Sequence, residues 1–233
     1  MGDHVAPEAS ALPRLPMTDW VTISSLATAG GTLVLAVATF SSVRSANRAA
    51  RTAERSLLIG LRPVLIPSRE DDPVERVRFG DEHRIDIPGH GGVVEVDGGR
   101  VYMGIGLRNA GSGLAVIHGW YAQPYDPSAP SPPPEPEDFH RQQLDLYIAP
   151  GNDGYWQGAI REPSDSQLAP VSAAVEAGRR VSIDLMYGDH EGGQRAIVRF
   201  SLMVSDDGPG RYANVLRYWN IDNDDPRERE DED

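Results

Sequence analysis

Residues 20–43 read WVTISSLATAGGTLVLAVATFSSV, a stretch with no charge between Asp19 and Arg44. As a helix it spans roughly 36 Å at 1.5 Å per residue, against a hydrocarbon core of roughly 30 Å. The stretch therefore predicts one transmembrane helix with some tilt, and everything after it falls on one side of a bilayer. Pro13 and Pro16 precede it, Thr18 or Asp19 can accept hydrogen bonds from its first free N–H groups, and Trp20 suits the headgroup boundary. Ser24, Ser25, Thr28, Gly30, Gly31 and Thr32 interrupt the apolar residues, so the span is only moderately hydrophobic. A buried helix of a soluble protein is one competing reading, although such helices rarely hold an uncharged run above about 18 residues. A cleaved signal peptide is another, with Ala36, Val37 and Ala38 as its small-x-small site. Export signals place positive charge ahead of the apolar run, whereas here Asp3, Glu8 and Asp19 outnumber Arg14. The segment is expected to be retained.

Flanking charge predicts the direction. Residues 1–19 carry one Arg against three acids, while residues 44–62 carry Arg44, Arg48, Arg51, Arg55 and Arg62 against Glu54. Positive flanks stay in the cytoplasm, which puts the N-terminus outside and the C-terminal bulk inside. The chain has no Cys, which fits either compartment. All 22 of its basic residues are Arg, a bias that suits a GC-rich bacterial genome.

Arg44, Arg48, Arg51 and Arg55 fall at i, i+4, i+7 and i+11, on one face of a helix that continues beyond the membrane. Ala46, Ala50, Ala53 and Leu57 repeat that spacing on the opposite face. Residues 44–61 thus form a basic juxtamembrane helix, ended by Pro63, which disfavours the helical region for its predecessor. An Arg near an anionic surface gains about 1 kcal/mol. A straight helix carries Arg55 roughly 16 Å beyond Arg44, so Arg44 and Arg48 feel that surface most. A stop-transfer flank with a solvated face accounts for the same residues.

Residues 62–221 read as strands. Val101, Met103, Ile105 and Leu107 alternate with other residues, as do Val181, Ile183, Leu185 and Tyr187, and Ala196, Val198, Phe200, Leu202 and Val204. The glycine-rich GDHEGG of residues 188–193 joins the last two runs as a hairpin loop. Further strands are expected at 62–66, 114–122, 144–148, 155–160 and 212–221, with a short surface helix at 166–177 closed by Gly178. About eight short strands predict an antiparallel β-sandwich, with a single sheet packed on helices as the alternative. Two segments fall outside the predicted core. Residues 124–136 are proline-rich, including Pro132, Pro133 and Pro134, and predict an extended loop. The tail, residues 222–233, is dominated by acids and reads as disordered. With a net charge of −13 for the whole chain, nucleic-acid binding is disfavoured.

Candidate sites are few. Gly104, Gly106 and Gly111 evoke a nucleotide-binding loop, but the spacing is G-x-G-x4-G and no helix N-terminus follows; Asn109 to Gly113 reads instead as a turn. Asp189, His190 and Glu191 are adjacent loop residues that cannot by themselves converge on one metal ion. Ser112 lacks the strand-to-helix elbow of a nucleophile. Asp222, Asp224 and Asp225 lack the Gly and distal Glu of a calcium loop. No catalytic residue, metal ligand or cofactor is expected. The doublets Trp120-Tyr121, Tyr155-Trp156 and Tyr218-Trp219 each send one ring to either face of a strand, and three outward rings on one surface would stack on a sugar or a partner. Packing beneath loops is the plainer account. Ala27 and Gly31, with Thr28 and Thr32 beside them, form small-x-x-x-small pairs that would let two helices of a homodimer approach closely.

The segments LRPVLI (residues 61–66), LRNAGSGLA (107–115), the turn at Pro150 and Gly151, and YGDHEGG (187–193) together resemble a class of bacterial single-pass membrane proteins of unassigned activity. That class carries an R-P start, an N-x-G-x-G turn and a Y-x-D-x-x-G hairpin. Leu114 stands where such turns often have Pro. The resemblance implies an immunoglobulin-like sandwich and carries over no catalytic residue. The expectation is a cell-membrane protein: a non-enzymatic interaction or scaffolding protein with a cytoplasmic β-sandwich, bound to the lipid bilayer and to a protein partner. The alternative is an extracytoplasmic carbohydrate- or envelope-binding sandwich, which needs the reverse orientation and clustered exposed aromatics.

Overall fold

A computed structural model of the chain describes residues 18–128, 132–204 and 211–222. Most of the expected N-terminal segment, part of the proline-rich loop and the acidic tail after Asp222 lie outside these residues. The chain divides into two compact units, Met1–Arg55 and Ser56–Asp233.

One α-helix, α1, runs from Thr18 to Gly60 without a break, so the apolar stretch and the basic segment belong to one element. Leu33, Val34 and Leu35 are consecutive, each about 100° further round the helix, and are 67%, 69% and 69% exposed. Apolar side chains therefore project on every side. The window Trp20–Glu54 is long and apolar enough to cross a membrane and has none of its surface buried in the protein. This is unlike a core helix of a soluble protein.

The second unit is mainly antiparallel β. Its strands are β1 (Leu65–Pro67), β2 (Glu75–Arg78), β3 (Arg84–Ile87), β4 (Gly91–Asp97), β5 (Arg100–Asn109), β6 (Ala115–Pro124), β7 (His140–Ile148), β8 (Asp153–Ile160), β9 (Val181–Gly188), β10 (Ala196–Val204) and β11 (Arg211–Asn220); a helix α2, Leu168–Glu176, lies between β8 and β9. Nine strands join one sheet in the order β1-β5-β4-β11-β10-β9-β6-β7, with β8 also paired to β5. The sheet curls into a half-barrel. The alternation of apolar residues led to the expectation of two facing sheets; an immunoglobulin-like sandwich is not confirmed by this topology.

The concave face holds the main core: Met103, Ile105 and Leu107 of β5, Trp120 of β6, Trp156 of β8, Ile183, Leu185 and Tyr187 of β9, and Val198, Phe200 and Leu202 of β10. Helix α2 closes onto it with Val171 and Ala174, both fully buried. Gly178, at φ +64°, ends that helix with a left-handed residue that a side chain would strain. A smaller cluster forms where the β2–β3 hairpin lies on the other face of β4 and β5, packing Val77, Phe79, Ile85 and Ile87 on Val93 and Tyr102. Gly104 permits this approach, since a Cβ there would stand 2.5 Å from the Ile87 Cδ1. The hairpin explains why β5 is buried on both faces although its sequence alternates.

Candidate functional site

Three features of the fold bear on function: the polar groups of the long helix, the junction where the chain leaves it, and the convex face of the sheet.

Ser24, Ser25, Thr28, Thr32, Thr39 and Ser41 each donate a side-chain hydrogen bond to the carbonyl three or four residues earlier, at 2.7–3.0 Å. Hydrocarbon offers a hydroxyl no partner, so internal bonding is what makes such residues tolerable in lipid. The interruptions that made the span only moderately apolar thus leave these hydroxyls satisfied. Ala27, Gly31, Arg44, Arg48 and Arg51 are all exposed. The side chain of Arg55 lies outside the described residues.

Two of the motifs in the resemblance, LRNAGSGLA and the Tyr187 end of YGDHEGG, bond to the third, LRPVLI, just after the helix, and the P-G turn bonds to Asn109. The Asn109 side chain is fully buried and uses both ends: Oδ1 accepts from the amides of Val64 (3.1 Å) and Gly111 (2.9 Å), and Nδ2 donates to the carbonyls of Gly113 (2.7 Å) and Ile148 (2.9 Å). The Ala110 amide donates to Val64 O and the Ser112 amide to Arg62 O. The Gly151 amide of the P-G turn donates to Asn109 O. From the other wall, the buried Tyr187 hydroxyl accepts from the Leu65 amide at 3.3 Å, and burial holds that phenol well above its ordinary pKa. Gly111 and Gly113 must be glycine: a Cβ would stand 2.2 Å from Arg62 O and 1.7 Å from Leu61 O. These residues form a clamp that fixes where the β unit begins. Asp189 plays a similar local part, accepting from the amides of Glu191 and Gly193 through Oδ1 at 3.0 and 2.8 Å and so organising its hairpin turn.

The aromatic doublets split across the sheet. Trp120 and Trp156 are buried in the main core and Tyr218 packs against it, while Tyr121 and Trp219 join Phe139 and Ile197 on the convex face and Tyr155 packs under the β2–β3 hairpin. The three rings opposite the main core do not share one open surface: Trp219 is buried, and Tyr121 and Tyr155 are half-buried.

Sequence reasoning missed a buried ion pair on the convex face. Asp184 and Arg199 lie opposite each other on β9 and β10. The Arg199 Nε donates to Asp184 Oδ1 at 2.6 Å and Nη2 to Oδ2 at 2.7 Å. The guanidinium lies 4.9 Å from the Trp219 ring and also donates to Pro132 O at 3.1 Å, tying down the proline-rich loop. Burial pushes the Asp184 carboxyl up and the guanidinium opposes that shift; the two-point contact favours the charged pair. An Asp and an Arg on separate strands give no sequence signal until register is known. A second polar cluster sits at the hairpin tip, where Asp81 accepts from Tyr102 OH (2.7 Å), Arg161 Nε (3.0 Å) and Arg100 Nη1 (3.2 Å). The Tyr102 hydroxyl, then Arg161, hold its carboxyl well below the usual carboxylate range.

No group of three or more metal-ligating side chains occurs among the described residues. No protein-family model matches the chain, and no curated protein matches it. Its residues and their geometry carry the functional reading.

Proposed function

We propose that this protein is a membrane-anchored, non-enzymatic interaction or scaffolding protein, with residues 20–43 crossing the bilayer and the β domain in the cytoplasm. The observation that carries this reading is the helix itself: apolar side chains exposed on every side, with its interrupting hydroxyls bonded back to the backbone. The basic residues Arg44, Arg48, Arg51 and Arg55 after the span, against the acidic residues before it, support the orientation. Arg44 and Arg48 meet the anionic leaflet. Ala27 and Gly31 provide the close-approach face of a homodimer. The half-barrel takes the interaction role, and the clamp at residues 61–65 fixes where that domain begins.

Orientation is tested by fusing alkaline phosphatase or a fluorescent protein after Asp233. Fluorescence without phosphatase activity is the expected result; phosphatase activity would reverse the topology and remove the cytoplasmic reading. The homodimer is tested by crosslinking in membranes, where substituting Ala27 and Gly31 with Leu should lower the yield.

A further inference from the structure

Part of the proline-rich loop is seated on an aromatic strip of the convex face. Register puts Tyr121, Asp184, Arg199 and Arg217 in one row across β6, β9, β10 and β11, and Met186, Ile197 and Trp219 in the next. Phe139, Ile197 and Trp219 form a small buried cluster, with Tyr121, Met186 and Ile221 packed against it. The Arg199 guanidinium stands 4.9 Å from the centre of the Trp219 ring and turns Nη2 to Pro132 O at 3.1 Å. Gly119 admits the incoming chain, since a Cβ there would stand 2.9 Å from His140 O and 3.3 Å from the Phe139 Cβ.

The segment seated there has its own chemistry. Pro132, Pro133 and Pro134 each hold φ near −65° and lack an N–H, and Glu135 continues at φ −65° and ψ 146°, the polyproline II conformation. Such a backbone has no amides to pair as a strand; it offers carbonyls to donors and pyrrolidine rings to an aromatic surface. The amides of Asp138 and Phe139 bond within the segment, to Glu135 O and Pro136 O. Side chains hold it to the domain: Arg199 at Pro132 O, and Gln167 Nε2 at Asp138 O (3.3 Å). Aromatic grooves recognise proline-rich segments of other proteins through the same preformed conformation, and these contacts do not depend on the segment being joined to β6 and β7. We propose that the strip formed by Tyr121, Arg199 and Trp219 is a docking face for a polyproline II segment of a partner protein, covered by the chain's own residues 132–136 until that partner displaces them. Arg199 then donates to a prolyl carbonyl of the partner, and Tyr121 and Trp219 take its pyrrolidine rings.

The proposal deepens the interaction reading and rests on it. Its test is independent of topology: fluorescence anisotropy of a labelled Ala-Pro-Pro-Pro-Ala-Pro-Pro-Pro-Ala peptide, and of a Gly-Ser peptide of equal length, with the full chain in lipid nanodiscs. The triple variant Pro132→Gly, Pro133→Ser, Pro134→Gly removes the tethered competitor and should bind the proline peptide at least about tenfold more tightly than the parent. In that background Tyr121→Ala should weaken binding at least about fivefold, and Tyr121→Phe should restore it, because the ring forms the face. Circular dichroism checks each variant, and Trp219→Phe replaces Tyr121→Ala if that variant is misfolded. Equal binding of the Gly-Ser peptide, no gain in the triple variant, or no loss in Tyr121→Ala would overturn the proposal. So would misfolding of the triple variant, since the loop would then be part of the core and not a cover. Association of the triple variant with the parent in the absence of peptide would make a second copy's loop the occupant and overturn it too. Failure of this test with a cytoplasmic reporter intact would remove the docking face alone, while a reversed reporter would remove the cytoplasmic reading alone.

Discussion

The helix and the β domain place the same kinds of side chain in opposite surroundings. Leu33, Leu35 and Phe40 are 67–69% exposed on α1, whereas Ile105, Leu107, Leu185 and Phe200 in the sheet are fully buried. Burying apolar surface contributes about 25 cal/mol per Å² in water, so the sheet is the arrangement expected of a chain folding in water. A helix that leaves such residues outward gains nothing from their burial in water, and this one is long and apolar enough to cross a membrane. Polar groups follow the same division. The helix satisfies the hydroxyls of its span locally, within one turn, while the domain satisfies Asp184, Arg199 and Asn109 through partners distant in sequence. Each unit is suited to a different solvent.

The contrast can be broken most sharply by removing one half of the buried pair. Asp184→Ala leaves the Arg199 guanidinium without its carboxylate in a site that excludes water, and should cost about 3–5 kcal/mol of domain stability. Chemical denaturation followed by Trp fluorescence measures this. The double variant Asp184→Leu with Arg199→Met should recover most of the loss, because no uncompensated charge remains. If the single variant is as stable as the parent, the pair does not lie in the core of the fold.

In the helix a charge has no partner to meet. Leu33→Arg should make insertion less favourable by about 2.5–3.5 kcal/mol, seen as protein shifted from the membrane fraction to the soluble or aggregated one. Normal membrane recovery would mean that this face of the helix is not in lipid. A still smaller effect is expected from Thr32→Val, since its hydroxyl already bonds to Thr28 O at 2.8 Å. Membrane recovery should be unchanged, and a loss would show that Thr32 bonds outside its own helix.

The weakest effect concerns the hairpin tip. A carboxyl held below its ordinary value adds stability above that value and loses it as pH falls through the depressed one. Asp81 therefore keeps Arg100, Arg161 and Tyr102 together down through about pH 4, where ordinary carboxylates protonate. NMR shifts of the Tyr102 ring should stay constant to that pH and move only below it; Asp81→Asn should abolish the transition. Movement centred at the ordinary carboxylate value would contradict the arrangement.

Much of this architecture was legible in residue patterns, and the gaps have physical causes. The alternation at 181–187 and 196–204 marks β9 and β10 because one face of each meets the core. The helix at 168–176 was marked by Gly178. Strands β2, β3 and β4 were not anticipated: two are four residues long with charged outer faces, and β4 opens with Gly91 and Gly92, which carry no side-chain pattern. The half-barrel itself depends on register, which alternation does not encode. Gly104 and Gly106 show how a motif misleads when read alone, since their lack of a side chain admits the overlying Ile85, Ile87 and Ser68. At the clamp, Asn109, Gly111 and Gly113 were readable as a turn, but not as a binding surface for residues 61–65, because those partners lie more than forty residues apart in sequence.

The most direct test of the account is alkaline carbonate extraction of membranes holding the full-length protein, followed by intact-mass measurement of the recovered chain. The account predicts that the protein stays in the membrane pellet with residues 20–43 intact, and that deleting those residues moves a folded β domain to the supernatant. Release of the full-length chain by carbonate, or a mature N-terminus just after Ala38, would contradict it.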